Sequence, residues 1–542
     1  MTTNGHRSRS HGQALRVGIL DLAARQSDGS LYARVANPNQ ASIMPQVIAV
    51  WAEEMGHEVS YHVYTGLDNL LDSIDLDVDI LFVSSFTQSA YLAYSVSGFF
   101  RQRNVITVLG GPHARAYARD ACHYFDYVVE IADKALIQEL LQDPAPNPDG
   151  GLALSARAQP RALPGVRERW KYIRQVLDRA LLIRVVPMIG SLGCPYTCAY
   201  CIDSEVRFQP LPYDQIREDL LFLQQQAHPP VILWSDPNFG VRFDEYMDLI
   251  ESTVKPGTLQ FSAESSLSLL NEQHLQRLRT NHFLGIAPGI ESWFDFNDKS
   301  KAGKRVGMDK VNAVAEQVRL ITEYIPYVQT NFIFGLDSDT GAIPFELTKR
   351  FIDLAPGAYP NYALITAFGD SAPLSRDLHA QGRVIDIPFP FLDGASMFNV
   401  RLKNYSIVEF YDYLIDLVKY TFSPRVTWRR FKANDHLLPK FGNALRGLIG
   451  SEKGRPVAGH SWMRNEFATN SHLQDFYCGK SSKPPAFFQA RIKAGLGPLY
   501  EYLPPAVMHH LEHGEDALNP GIPRLRDNVR TDWNGSALAP LE

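Results

Sequence analysis

The sequence predicts an α/β protein: a doubly wound parallel sheet, then a partial or full β/α barrel, then a mainly helical region. Three patterns lead there. Short apolar runs of strand length alternate with amphipathic helical stretches through the first 143 residues. The alternation resumes over residues 181–395, in about six consecutive βα units. Beyond about residue 400 it fades into helical, aromatic-rich sequence. The expected division is therefore 1–143 as the first domain, 144–180 as a linker with a helix, 181–395 as the barrel, and 396–542 as a substrate or capping region.

In the first domain, LRVGILDL is a short strand, IMPQVIAVWAEEMGHE a helix and VSYHVYT a strand. VDILFVSSFT, VITVLGGPH and FDYVVE follow as strands ending in hydroxyl, glycine and acidic residues. Parallel sheets bind ligands beyond their carboxyl edge. The candidate lining is Asp21, Ser84, Ser85, Thr87, Gly110, Gly111, His113 and Glu130. Residues 144–166 are rich in Pro, Gly and Ala, as a connection would be, and RERWKYIRQVLDRA is a helix.

In the second segment LIRVVPMI is a strand that runs into a cysteine loop. Strands VILWSDPNF, TLQFSAES, LGIAPGIES, VQTNFIFGL and YALITAF follow, each preceded by a helical pattern. Barrel chemistry sits where strands feed their loops. Asp236, Glu264, Glu291 and Gly335 all fall at such ends.

Composition narrows the function classes. The chain has 542 residues, 45% of them apolar, enough for several cores, and its formal charge of -6 offers no field for nucleic acid. The first thirteen residues are polar and lack the apolar segment of a secretory signal. No apolar run has membrane-spanning length. Five cysteines do not make a disulfide framework, so a reduced, cytoplasmic location is expected.

Three of those five cysteines lie within SLGCPYTCAYCIDS: Cys194, Cys198 and Cys201. Soft thiolates select zinc, copper or iron–sulfur. Structural zinc normally takes four protein ligands, and no fourth is local; Cys478 is distant in sequence. A cubane held by three cysteines leaves one of its irons open to a small ligand. Three buried structural thiols, or a zinc or redox site, are the plainer alternatives.

The motif Cys194-Pro195-Tyr196-Thr197-Cys198-Ala199-Tyr200-Cys201 resembles the cluster motif of the radical S-adenosylmethionine (SAM) superfamily. The resemblance covers roughly residues 181–375. It implies a [4Fe–4S] cluster on the three cysteines, with SAM chelating the fourth iron and cleaved reductively to a 5′-deoxyadenosyl radical. It implies an external electron donor such as flavodoxin or ferredoxin. It places Asp236, within Ser235–Phe239, near the SAM methionyl group, and Glu264 and Glu291 among the polar residues for SAM and its ribose. Asn331 to Gly335 falls beside the adenine, with Tyr200 shaping that pocket.

With FVSSFT, VLGGPH and FDYVVE, the first domain resembles the cobalamin-binding domain of class B radical SAM methylases and their relatives. The resemblance implies cobalamin, with Gly110 and Gly111 allowing close approach and Ser84, Ser85 and Thr87 bonding its polar edge. Two features depart from that pattern. The loop AARQSDGS has no cobalt-ligating histidine, and Glu130-Ile131-Ala132-Asp133 stands where Gly-Glu-x-Glu is frequent. His113 is expected to pack rather than bind cobalt. The activity implied is methyl transfer to an unactivated carbon of a small-molecule or natural-product substrate. Cyclisation, rearrangement or oxidation without methyl transfer, and a non-catalytic iron–sulfur protein, are the alternatives.

Overall fold

The computed structural model describes residues 14–23, 41–66, 69–180, 183–294, 304–369, 371–449 and 454–513. Residues 1–13 and most of the loop after the first strand, which lacks a histidine, lie outside that set. The chain forms two compact units.

The first unit is built on a six-stranded parallel sheet in the order β2-β1-β3-β4-β5-β6. Its strands are β1 (Arg16–Leu22), β2 (Glu58–Tyr64), β3 (Ile80–Ser85), β4 (Ile106–Gly110), β5 (Tyr127–Val129) and β6 (Leu152–Leu154). Helices α1 (Ile43–Glu54), α2 (Ala90–Arg101), α3 (Lys134–Gln142) and α4 (Val166–Leu177) accompany them. β1 and β3 are nearly continuous apolar runs because both their faces are covered. The strand order reverses between β1 and β3, the topological switch point of such sheets.

Residues 144–180 do more than connect. Leu152–Leu154 adds the sixth strand by pairing with β5, which the Pro/Gly-rich composition concealed. Helix α4 packs back on α1: the buried Arg169 donates from Nη1 to Gln46 Oε1 at 2.8 Å and from Nε to the Pro164 carbonyl at 3.0 Å. The far end of the chain also belongs here. Residues Gln489–His510 join this unit, with Tyr502 edge-on to Phe99 at 4.9 Å. A Cβ on Gly98 would lie 2.4 Å from the Tyr502 carbonyl, so the glycine admits that segment against α2.

The second unit holds the βα series. Its strands are β7 (Val185–Met188), β10 (Val231–Trp234), β11 (Gln260–Ser266), β12 (Phe283–Glu291), β13 (Tyr327–Phe334) and β14 (Tyr359–Leu364). A small antiparallel pair, β8 (Ser191–Leu192) and β9 (Gln209–Pro210), brackets the cysteine loop. The six parallel strands lie in sequence order with β7 and β14 at the two edges, so the barrel is partial and open. Helices α5 (Tyr213–Gln224), α6 (Phe243–Thr253), α7 (Glu272–Thr280), α8 (Gly307–Tyr324) and α9 (Ile343–Leu354) connect the strands. Helix α10 (Pro373–Ala380) follows β14, and α11 (Ile407–Thr421) and later helices complete the unit.

Strand parity separates two faces. In β13, Val328, Thr330, Phe332 and Phe334 are buried, while Gln329, Asn331 and Ile333 alternate with them and are only half-buried. Trp234, Phe261, Phe283 and Phe332 supply the core on the helix-covered face. The other face carries polar groups, and the candidate site is built there.

Candidate cofactor site

The cysteine loop leaves the carboxyl end of β7, a strand that among the described residues lies at the edge of its sheet. Gly193 starts it at φ +67°, where a Cβ would lie 2.5 Å from the carbonyl oxygens of Val206 and Arg207. Only glycine fits that turn. Cys194 and Cys198 are buried, Cys201 is half-buried, and none is in a disulfide. The Cys201 amide donates to the Cys198 carbonyl at 3.0 Å, and the Asp203 amide reaches Cys201 Sγ at 3.4 Å. Such an N–H···S contact favours sulfur that carries negative charge.

The loop is tied to the framework on two sides. Helix α10 satisfies one of its unpaired first-turn amides with it, Leu374 N–H donating to the Ala199 carbonyl at 2.8 Å. Arg376 of the same helix pairs with Glu205. On the other side stands Asp236. It accepts from the Gly190 amide at 2.8 Å, from Tyr246 Oη at 2.8 Å, and from Ser191 Oγ. Burial pushes its carboxyl above the ordinary range, and these donors pull against that. The structure thus places Asp236 as the anchor of the loop's entry. Ser191 and Tyr246, which sequence reasoning did not single out, complete that anchor.

Glu264, Glu291 and Asn331 share the polar side of the sheet. Glu264 pairs in register with Ala287, and Gly289 with Asn331. Glu264 is exposed, while Glu291 and Asn331 are half-buried. Asn331 Oδ1 accepts from Gln329 Nε2 at 3.0 Å and from Asn361 Nδ2 at 3.1 Å. Gly335, at φ +93°, ends β13, and its amide donates to the buried Asp339 at 2.9 Å. Burial lifts Asp339 to about 7 against the pull of the Gly335 and Leu336 amides.

Glu291 has an unusual backbone. It sits at φ +66°, and the Ser292 amide closes a three-residue turn around it onto the Ile290 carbonyl at 2.9 Å. That is a strained turn for a residue with a side chain, worth about 1–3 kcal/mol. The β12–β13 register also shifts between Gly289 and Glu291. The turn sends the carboxylate back over Gly289, where a Cβ would lie 2.2 Å from Glu291 Oε1. The same Oε1 accepts from Tyr200 Oη at 2.7 Å, joining the cysteine loop to the middle of the sheet. The GIES segment pointed to Glu291; neither its turn nor the role of Gly289 could be read there.

The described residues contain no group of three or more His, Cys, Asp or Glu placed to hold a single metal ion. Three free thiols on one short loop, two of them buried, are the donor chemistry a cubane takes, each thiolate on a different iron. Cys478 stands exposed at the end of a separate helix, Ser471–Tyr477, outside any such group.

At the switch point of the first unit, Asp21, Ser84 and Gly110 lie side by side in register. Much of the polar edge is turned inward. Asp21 accepts from the Ser42 amide at 2.6 Å and Ser42 Oγ at 2.9 Å, and burial raises it to about 6. Ser85 Oγ donates to the Phe86 carbonyl at 2.8 Å. Thr87 lies 3.4 Å from His113 Nδ1, whose Nε2 is 2.7 Å from Tyr94 Oη, and Tyr94 bonds Asp120. His113 is fully buried, and its pKa drops to about 3 by desolvation, so it packs as a neutral ring. Gly111, at φ +92°, must be glycine: a Cβ would meet Ser85 O at 2.9 Å and Ser84 Oγ at 3.1 Å. Nothing lies within 4 Å of a Cβ built on Gly110, and Glu130 is half-buried at the end of β5. The result is a platform of glycine and serine that a large ligand could approach closely.

No protein-family profile matches the chain. Among solved structures, the chain is similar to the radical SAM methyltransferase TsrM from Kitasatospora setae with tryptophan substrate and a SAM analogue bound. The TM-score is 0.56 at 14% identity, over 85% of this chain and 100% of that one. It is also similar to the cobalamin-dependent SAM radical enzyme OxsB with aqua-cobalamin bound, with a TM-score of 0.51 at 12% identity over 93% of this chain and 83% of that one. The fold is that of cobalamin-dependent radical SAM enzymes. Two curated relatives from Chlorobaculum tepidum match in sequence. Bacteriochlorophyllide d C-12(1)-methyltransferase is 21% identical over 298 residues, 54% of this chain. Bacteriochlorophyllide d C-8(2)-methyltransferase is 24% identical over 286 residues, 49% of this chain. The matches span 64% and 61% of those relatives' lengths.

Proposed function

We propose that this chain is a cobalamin-dependent radical SAM enzyme that methylates an unactivated carbon of a small-molecule or natural-product substrate. The observation that carries the reading is one juxtaposition. Three cysteines lie on the loop after β7, and Tyr200 of that loop is bonded to a strained Glu291 on the polar side of the same sheet.

When bound, a [4Fe–4S] cluster with SAM supplies a radical source for hydrogen abstraction, and cobalamin supplies a methyl carrier. Cys194, Cys198 and Cys201 would hold the cluster, with the Asp203 amide steadying the charge on Cys201. Asp236 keeps Gly190 and Ser191, and so the start of the loop, in place. Glu291 and Glu264 would accept hydrogen bonds from hydroxyl or ammonium groups of SAM. Asn331 and the glycine-opened end of β13 would meet the base, beside Tyr200. In the first unit, Ser84, Gly110, Gly111 and Glu130 would receive the corrin, with Ser85 and Thr87 shaping the platform from beneath.

TsrM and both curated relatives are methyltransferases, which supports the methyl-transfer reading. The likeness to OxsB, a cobalamin-dependent SAM radical enzyme, spans more of the chain, so cyclisation, rearrangement or oxidation is the competing reading. Anaerobic reconstitution with iron, sulfide and hydroxocobalamin tests the cofactors. We expect about four irons and one cobalamin per chain. Cys198→Ala should abolish both the cluster absorbance and reductive SAM cleavage; cleavage retained in that variant would remove the cluster assignment. S-adenosylhomocysteine formed alongside 5′-deoxyadenosine would report methyl transfer. Deoxyadenosine alone, in the presence of converted substrate, would favour the competing chemistry.

A further inference from the structure

The hairpin of α12 (Pro424–Lys432) and α13 (Leu437–Ile449) lies far from the cysteine loop along the strands. Arg446 Nη1 donates to Tyr327 Oη at 2.6 Å and stacks over Tyr359, the first residues of β13 and β14. Asn434, between the two helices, donates to the Pro326 carbonyl at 2.7 Å. The hairpin is thus seated at the amino ends of these strands, whereas the cysteine loop leaves a carboxyl end. A Cβ on Gly447 would lie 2.4 Å from Thr427 Cγ2, so the two helices pack closely and the hairpin is a stiff unit.

Its outer face is apolar. Leu437, Phe441 and Leu445 recur every fourth residue along α13 and are 70%, 63% and 46% exposed. Trp428 of α12 is 56% exposed and stacks on Phe431, which in turn touches Phe441. Together these side chains present roughly 400–500 Å² of apolar surface, more than scattered exposed residues explain. The rim is cationic: Lys432 Nζ sits 5.1 Å above the Trp428 ring and Lys440 Nζ 5.0 Å above Phe431. Of the six Arg or Lys in residues 424–449, Arg429 pairs with Asp353, Arg430 is buried and Arg446 bonds Tyr327, which leaves Arg425, Lys432 and Lys440 at the surface against the single Asp435.

We infer that this hairpin docks the protein on an anionic lipid surface, with Trp428, Leu437, Phe441 and Leu445 at the acyl boundary and Arg425, Lys432 and Lys440 among the headgroups. Aromatic and Leu side chains on one face with basic residues beside them are the pattern of helices that lie in the interface plane. Among the described residues no helix is long and apolar enough to cross a membrane, so the contact is peripheral. A second copy of the chain is a poorer occupant. A symmetric contact would bring the surface cations Arg425, Lys432 and Lys440 of one copy close to those of the other.

Co-sedimentation of the full chain tests this. One set of vesicles is phosphatidylcholine alone; the other is equal parts phosphatidylcholine and phosphatidylglycerol. Binding is expected to the mixed vesicles only and to weaken as salt is raised. The double variant Leu437→Ser/Phe441→Ser should lose at least about tenfold in partitioning with an unchanged melting temperature, since both side chains are exposed. Lys432→Glu/Lys440→Glu should weaken binding without changing the fold. Failure of the unaltered chain to bind mixed vesicles, or full binding by the Leu437/Phe441 variant, overturns the inference. So does self-association, or binding of a protein partner, that the variant abolishes while vesicles are ignored.

Discussion

At the carboxyl end of β1 and β3, and in the loop after β3, Asp21 is committed to Ser42, Ser85 to its own loop, and Thr87 to a buried chain through His113 and Tyr94. At the corresponding end of β11, β12 and β13, Glu264, Glu291 and Asn331 lie on a polar face that the packed aromatic core leaves uncovered. Both sheets are parallel and both end in polar residues, yet one edge presents a glycine-serine platform and the other presents functional groups. The contrast teaches that strand-end position nominates a residue without assigning its work. Whether a polar group faces a ligand or braces a loop depends on which neighbour reaches it first.

Several substitutions would break or sharpen that contrast. The largest effect is expected at the platform. Gly111→Ala should destabilise the first unit by about 2 kcal/mol or more, since φ +92° and the Ser85 backbone both exclude a Cβ. A melt of the variant that matches the parent would mean the platform is not rigid. In the second unit, Glu291→Gln should weaken SAM binding by about 10–100-fold, the loss of a charge-assisted acceptor, as read by equilibrium dialysis. Unchanged affinity would make Glu291 a brace like Asp236. Tyr200→Phe removes one hydrogen bond to Glu291 and should cost about three- to tenfold in the same measurement.

The smallest effect is a pH slope. Asp339 titrates at about 7 in the folded chain against an ordinary value of 3.8. Its favourable contribution is therefore fully present below about pH 4 and lost as pH rises through about 7. Asp339→Asn should flatten the fall in melting temperature between pH 5 and pH 8 by a few degrees. A slope identical to the parent's would show that Asp339 is not the titrating group.

Much of this was legible because the signals are local. Strand and helix order in both units follows from short-range periodicity, and the glycine pair before His113 marks the end of β4 as written. The cysteine spacing is likewise a property of eight adjacent residues. Other features were hidden for a physical reason. Leu152–Leu154 looked like linker because a three-residue edge strand has too few residues to show a period, and its pairing with β5 alone makes it a strand. Arg429 and Arg430 are sequence neighbours of the same charge. The fold separates them: Arg429 reaches Asp353, while Arg430 is 1% exposed and donates to the Ala358 and Thr421 carbonyls.

By itself, then, the sequence determined the succession of elements, the thiol triplet and the set of polar strand ends, all of which depend on neighbours within a few positions. Tertiary structure alone decided that the barrel stays open, that Gln489–His510 returns to the first unit, and that Asp236 anchors the cysteine loop. It also decided that Glu291 turns through a strained φ to reach Tyr200. Each of these depends on register and packing between segments tens to hundreds of residues apart, where no local period carries information and only the three-dimensional placement settles which donor meets which acceptor.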